Sequence, residues 1–155
     1  MLLETFRDLL AELERVRDQL ARSREKLLLA VSNCCTMTTN YDKVGHGGGG
    51  GDARDGPLAA LGDLMDKHRQ LERRVHNLKV EIYMVGLKLR TAGHEEAAAI
   101  LKYRYSEDLE WFGVLERLRE DGMDPGTMRT LYRWHLDALG RAEKVWKERY
   151  EDVDR

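Results

Sequence analysis

Tyr105-Ser106-Glu107-Asp108-Leu109-Glu110-Trp111 and, after a Gly/Pro break, Thr130-Leu131-Tyr132-Arg133-Trp134-His135-Leu136-Asp137-Ala138-Leu139 set the fold expected for the chain. Upstream of the break, Trp111, Val114, Leu115 and Leu118 recur at helical spacing within Leu109 to Glu120. The break is Arg119-Glu120-Asp121-Gly122-Met123-Asp124-Pro125-Gly126. Gly122 suits the end of one helix, Asp124 suits the cap of the next, and Pro125 suits its first position. Beyond it, Met128, Leu131, Trp134 or His135, Ala138, Leu139, Ala142, and Val145 or Trp146 mark the inner side of a helix reaching about Tyr150. A shorter helix from Glu95 to Tyr105 precedes both, with Glu95 and Glu96 at its positive end. Ser106-Glu107-Asp108 is the turn between them. The pattern predicts a helix-turn-helix within a three-helix unit over residues 94–155, its second helix starting near Pro125.

Residues 1–32 read as one helix over Leu3 to Val31. Phe6, Leu13, Leu20 and Leu27 recur every seventh position, and Leu9, Val16, Ser23 and Ala30 fill the second seam. So narrow an apolar stripe is buried only against a partner. Residues 57–93 carry a cleaner heptad: Leu61, His68, Val75, Ile82 and Leu89 in one seam, Leu64, Leu71, Leu78 and Val85 in the other. Pro57 suits the first turn of that helix, and Gly93 suits its C-terminal cap. Between them, residues 33–56 form a Thr- and Gly-rich linker, with Met37 and Tyr41 as its residues able to dock on the helices. The linker lets the second helix fold back on the first, so a long antiparallel helical hairpin is expected; a homodimer through the coiled coil is the competitor. The fold class is all-α.

With 35% charged and 7% aromatic residues and two prolines, the 155-residue chain suits long amphipathic helices better than a sandwich or barrel. A net charge of -2 excludes nucleic-acid binding by bulk charge; such binding requires a local basic patch. The run Gly47 to Gly51 lacks the Lys-Ser/Thr and the preceding strand of a P-loop. Cys34-Cys35 are adjacent, which strains a bridge between them, and two cysteines alone make no zinc site. They read as reduced thiols. His68 in the seam is expected to set register rather than bind metal. Neither the cysteines nor His46, His68, His76, His94 and His135 come with a nucleophile or carboxylate set, so no enzyme, no metal and no cofactor is expected. No apolar run approaches a membrane span, and Met1-Leu2-Leu3-Glu4 does not open a signal peptide, so no membrane partner and a cytoplasmic location are expected.

Arg104-Tyr105 followed by Trp111, and then Thr130-Leu131-Tyr132-Arg133-x-His135-x-x-Ala138-Leu139, resemble the C-terminal helix-turn-helix of phage and prophage proteins related to region 4 of sigma-70 factors. These include late transcriptional regulators of the ArpU and RinA type. The upstream order is also similar: a helix, a Thr- and Gly-rich linker and a second long helix. The chain departs from the pattern in a longer turn, Arg119 to Asp124, and in Val114-Leu115 where the pattern has Ile-Ala. The resemblance implies a DNA-binding regulator in a bacterial host, with double-stranded DNA as partner and host RNA polymerase as a second.

A helix-turn-helix lays its second helix in the major groove, with residues near the N-terminus at base edges and others on phosphates. That makes Thr127, Arg129, Thr130, Tyr132 and Arg133 the candidate DNA-binding residues. Arg129 and Arg133 share a helix face, and arginine suits both guanine and phosphate. Acids outnumber bases from Glu95 onward, yet from Thr127 to Arg149 the balance reverses. Two other readings remain: a helix-turn-helix used to bind a protein, and a small terminase subunit. The terminase ranks last, because such subunits place their DNA-binding helices before the oligomerising ones.

Overall fold

The computed structural model describes residues 3–41 and 52–152, with side chains for 3–35, 56–149 and 151–152. The glycine run 47–51 and the side chains of Met37 and Tyr41 lie outside the described residues. Among those described, the chain is all-α: α1 (Phe6–Tyr41), α2 (Asp52–Thr91), α3 (Glu95–Leu101), a π-helical segment (Lys102–Ser106), α4 (Trp111–Glu120) and α5 (Met128–Glu151).

The helix ends follow from local chemistry. Thr5 and Asp8 open α1 reciprocally: the Asp8 N–H donates to Thr5 Oγ1 at 3.1 Å, and the Thr5 N–H donates to Asp8 Oδ2 at 2.9 Å. Gly93 ends α2 at φ 87°, the left-handed region that glycine enters without a Cβ penalty. The His94 N–H bonds the Leu89 carbonyl and the Gly93 N–H bonds the Arg90 carbonyl, a paired C-terminal cap. Gly122, at φ 78°, ends α4 the same way, with Met123 bonded to Leu118 and Gly122 to Arg119.

Several boundaries differ from the sequence reading; among the smaller shifts, α1 starts at Phe6 rather than Leu3 and α4 at Trp111 rather than Leu109. α1 continues to Tyr41, because Ser32 to Tyr41 contains neither glycine nor proline. α2 begins at Asp52, ahead of Pro57, which lies inside it. α3 stops at Leu101, and the chain widens to a π-helical turn in which the Glu107 N–H reaches the Lys102 carbonyl at 3.0 Å. Finally, α5 begins at Met128 rather than near Pro125. Asp124 caps a turn instead, accepting the Gly126 N–H at 2.8 Å, and Gly126 has φ 81°. Thr127 caps α5, its Oγ1 accepting the Thr130 N–H at 3.2 Å.

The chain forms two compact units. One is Glu14–Val75. Within it Val16 and Val75 are buried, while Leu20, Ser23, Leu27, Leu64, His68 and Leu71 are half-buried. The two polar seam positions meet: His68 Nδ1 lies 3.0 Å from Ser23 Oγ, and His68 Nε2 lies 3.4 Å from Glu72. A pair of partnered polar groups leaves neither seam with an orphan.

The other unit joins Met1–Leu13 to His76–Arg155. One of its clusters is Ile100, Tyr103, Val114, Leu115, Leu118 and Leu131. A second region brings the start of α1 against α5. The Phe6 and Trp146 rings lie 6.1 Å apart, Trp146 Nε1 donates to the Leu3 carbonyl at 3.2 Å, and Glu143 accepts the Phe6 N–H at 2.9 Å. That carboxylate sits at the positive end of α1, where an anion is favoured. Phe6 and Trp146 are almost wholly buried. Each such side chain contributes about 2 kcal/mol or more by leaving water. Arg149 also bridges to Glu81 on α2, and Lys79 to Asp108 at 3.1 Å.

Candidate nucleic-acid interface

The cap at Thr127 fixes where the first turns of α5 point. Its hydroxyl also donates to Thr130 Oγ1 at 3.1 Å. Thr127 is exposed and Thr130 half-buried, and their hydroxyls are engaged with each other and with the helix start. Arg129, Tyr132, Arg133 and Leu136 lie at helical spacing on one face of α5, and all four are exposed. Leu131, Ala138, Ala142 and Trp146 form the opposite, fully buried side.

Charge on α5 divides into two groups. Arg141 pairs with Asp137 at 2.9 Å, Lys147 with Glu143 at 4.0 Å, and Arg149 with Glu81. Arg129 and Arg133 have no ion-pair partner among the described residues. Two guanidinium groups therefore stand in solvent on the first turns of a 24-residue helix.

Behind that face the residues that carried the family resemblance touch one another. Tyr105 and His135 are joined by a 2.7 Å hydrogen bond at Nε2. Trp111 lies edge-on to His135 at 4.6 Å and to Tyr132 at 5.3 Å between ring centres. Arg104 stacks over Trp111 at 4.9 Å and donates to the Leu109 carbonyl at 2.9 Å, tying down the turn before α4. Burial, and then the neighbouring Arg104 cation, hold His135 below its ordinary pKa, so the neutral imidazole is favoured.

The long turn is held by its own bonds. Arg119 Nε reaches Asp124 Oδ1 at 3.2 Å, and Arg119 Nη2 reaches the Gly126 carbonyl at 3.5 Å. The Gly126 N–H and then Arg119 hold the Asp124 carboxyl below the usual carboxylate range. Pro125 is buried. Sequence reasoning missed Arg119 as the brace of this turn; its spacing to Asp124 gives no signal, since the two residues lie on different elements.

Among the described residues no group of three or more His, Cys, Asp or Glu side chains could hold a metal ion, and no helix is long and apolar enough to cross a membrane. Comparisons of the chain with family models, with curated proteins and with solved structures return no match.

Proposed function

We propose that this chain is a phage-encoded, DNA-binding transcriptional regulator of sigma-like type. In this reading α4 and α5 form a helix-turn-helix and α5 enters the major groove. Arg129 and Arg133 contact bases or phosphates, with Tyr132 and Thr130 beside them. Thr127 serves by capping α5, which orients the arginines. The regulator and phage assignments rest on the resemblance; the observation that carries DNA binding is the pair of exposed arginines at the start of α5, which have no ion-pair partner among the described residues. Catalysis and a cofactor have no part in it. We also read α1 and α2 as an antiparallel coiled-coil hairpin, supported by the Ser23–His68 contact and by burial that follows both heptad seams.

A mixed-sequence DNA duplex at low salt tests this by fluorescence anisotropy. Wild type is expected to bind with log K falling linearly against log salt. Arg129→Ala with Arg133→Ala should weaken binding throughout and reduce the slope by about 2. Absence of wild-type binding, or equal slopes, overturns the DNA reading.

A second reading, a protein-binding helix-turn-helix with host polymerase as a candidate partner, is favoured by one observation. Phe112 on α4 and Leu136 on α5 are each 65% exposed, and exposed apolar groups suit a protein partner better than a phosphate backbone. Under that reading the arginine variants leave DNA unbound or unaffected, and polymerase co-purifies with the chain.

A further inference from the structure

Tyr132 is a surface aromatic whose position is fixed from outside its own helix. It is 45% exposed on α5, yet its ring meets Trp111 of α4 at 5.3 Å, with the two planes 81° apart. Trp111 is held in turn by the Arg104 guanidinium at 4.9 Å, and Arg104 is anchored on the Leu109 carbonyl at 2.9 Å. An edge-to-face contact engages at most one face of the Tyr132 ring. With nearly half the residue in solvent, ring surface is left open for a further contact. The contact with Trp111 also restrains the side chain in advance, so less rotamer freedom is lost when something docks on it.

Its neighbours on the same face are of two kinds. Arg129 and Arg133, three residues before it and one after, are exposed and have no ion-pair partner among the described residues. Leu136, one turn further on, is 65% exposed. A continuous duplex offers that apolar surface little beyond thymine methyl groups. Its base faces are stacked on one another, and its grooves present hydrogen-bonding edges, to which Leu136 brings no group and Tyr132 one hydroxyl. An unpaired base presents an apolar π-face beside its own phosphates. Aromatic rings flanked by cations hold single strands in that way.

We infer that this face of α5 binds an unpaired base of DNA, stacked on Tyr132, with Arg129 and Arg133 on the adjoining phosphates and Leu136 extending the apolar surface. The inference rests on the DNA-binding reading above and adds the state of DNA that is preferred, a strand locally unstacked rather than a continuous duplex.

The test compares two fluorescein-labelled duplexes of one sequence by anisotropy, using the full chain. One is fully paired, and the other carries a central bulge of unpaired thymidines. Their phosphate charge is nearly equal, so the ratio of affinities isolates the bases. Wild type should favour the bulged duplex by roughly tenfold, the size expected of one stacked base. Tyr132→Leu keeps an apolar side chain against Trp111 and removes the ring, so the preference should vanish. Tyr132→Phe should retain it. Tyr132→Met is the second ringless variant, used if circular dichroism shows that the leucine variant misfolds. Tyr83→Leu removes a tyrosine that is 55% exposed on α2 and should leave the ratio unchanged. Equal wild-type binding to both duplexes overturns the inference and leaves the DNA reading standing, whereas binding to neither overturns both. A preference that survives loss of the ring overturns it as well, because the bend of the bulge is then what is recognised. So does a preference abolished by Tyr83→Leu, which moves the contact to α2, or by Tyr132→Phe, which assigns it to the hydroxyl.

Discussion

His135 connects packing to proton chemistry through a single ring. It sits between Tyr105 and Trp111, and its folded pKa lies below the ordinary 6.5 because burial, and then Arg104, disfavour imidazolium. As pH falls through 6.5 the unfolded chain takes up a proton that the folded chain still excludes. The stabilisation present above 6.5 is therefore lost progressively toward the lower folded pKa, and the loss then levels off. Carboxylates elsewhere titrate over lower pH, so the informative quantity is the difference between two proteins. Thermal unfolding followed from about pH 7 to about pH 5 should fall more steeply for wild type than for His135→Gln. Parallel profiles would mean that His135 is as solvated as a free imidazole.

At the scale of the element, the register of α5 depends on its first residue. The Thr127 hydroxyl accepts the Thr130 N–H, one of the donors that every helix start leaves unpaired. Thr127→Ala should cost about 1 kcal/mol, read as a lower urea midpoint with an unchanged slope, while Thr127→Asn should recover most of it. An unchanged midpoint for the alanine variant would show that another group caps the helix. The two glycine caps after α2 and α4 were readable directly from sequence, because few residues other than glycine enter the left-handed region readily. The cap of α5 was not. Asp124-Pro125 and Thr127 are both good helix-start signals, and the choice between them depends on the turn made by Gly126 at φ 81° and on Arg119 bracing Asp124. The π-helical widening at Lys102–Ser106 left no periodic trace either, since one slipped hydrogen-bond rung barely alters side-chain spacing.

At the scale of the molecule, the question is whether the heptad seams of α1 and α2 are satisfied within one chain. Ser23 and His68 occupy the two polar seam positions and bond to each other. The same contact in the hairpin reading favours a monomer over an intermolecular coiled coil. Light scattering at micromolar concentration should return the mass of one chain, and a doubled mass would transfer the pairing to a homodimer. The C-terminal boundary also changes at this scale. Residues 94–155 suggested a separate three-helix unit, but the buried side of α5 takes in Phe6 of α1, and Arg149 pairs with Glu81 of α2. The compact unit therefore draws on both ends of the sequence.

Periodicity alone determined that the chain is helical, which positions face inward along α1 and α2, and which side of α5 is buried, because those properties follow from 3.6 residues per turn and the transfer of apolar side chains out of water. Residue type also brought Arg129 and Arg133 to notice. Only the tertiary structure decided that these two lack carboxylate partners among the described residues while Arg141, Lys147 and Arg149 have them. Pairing depends on which distant segments meet, and spacing along a single chain carries no record of that.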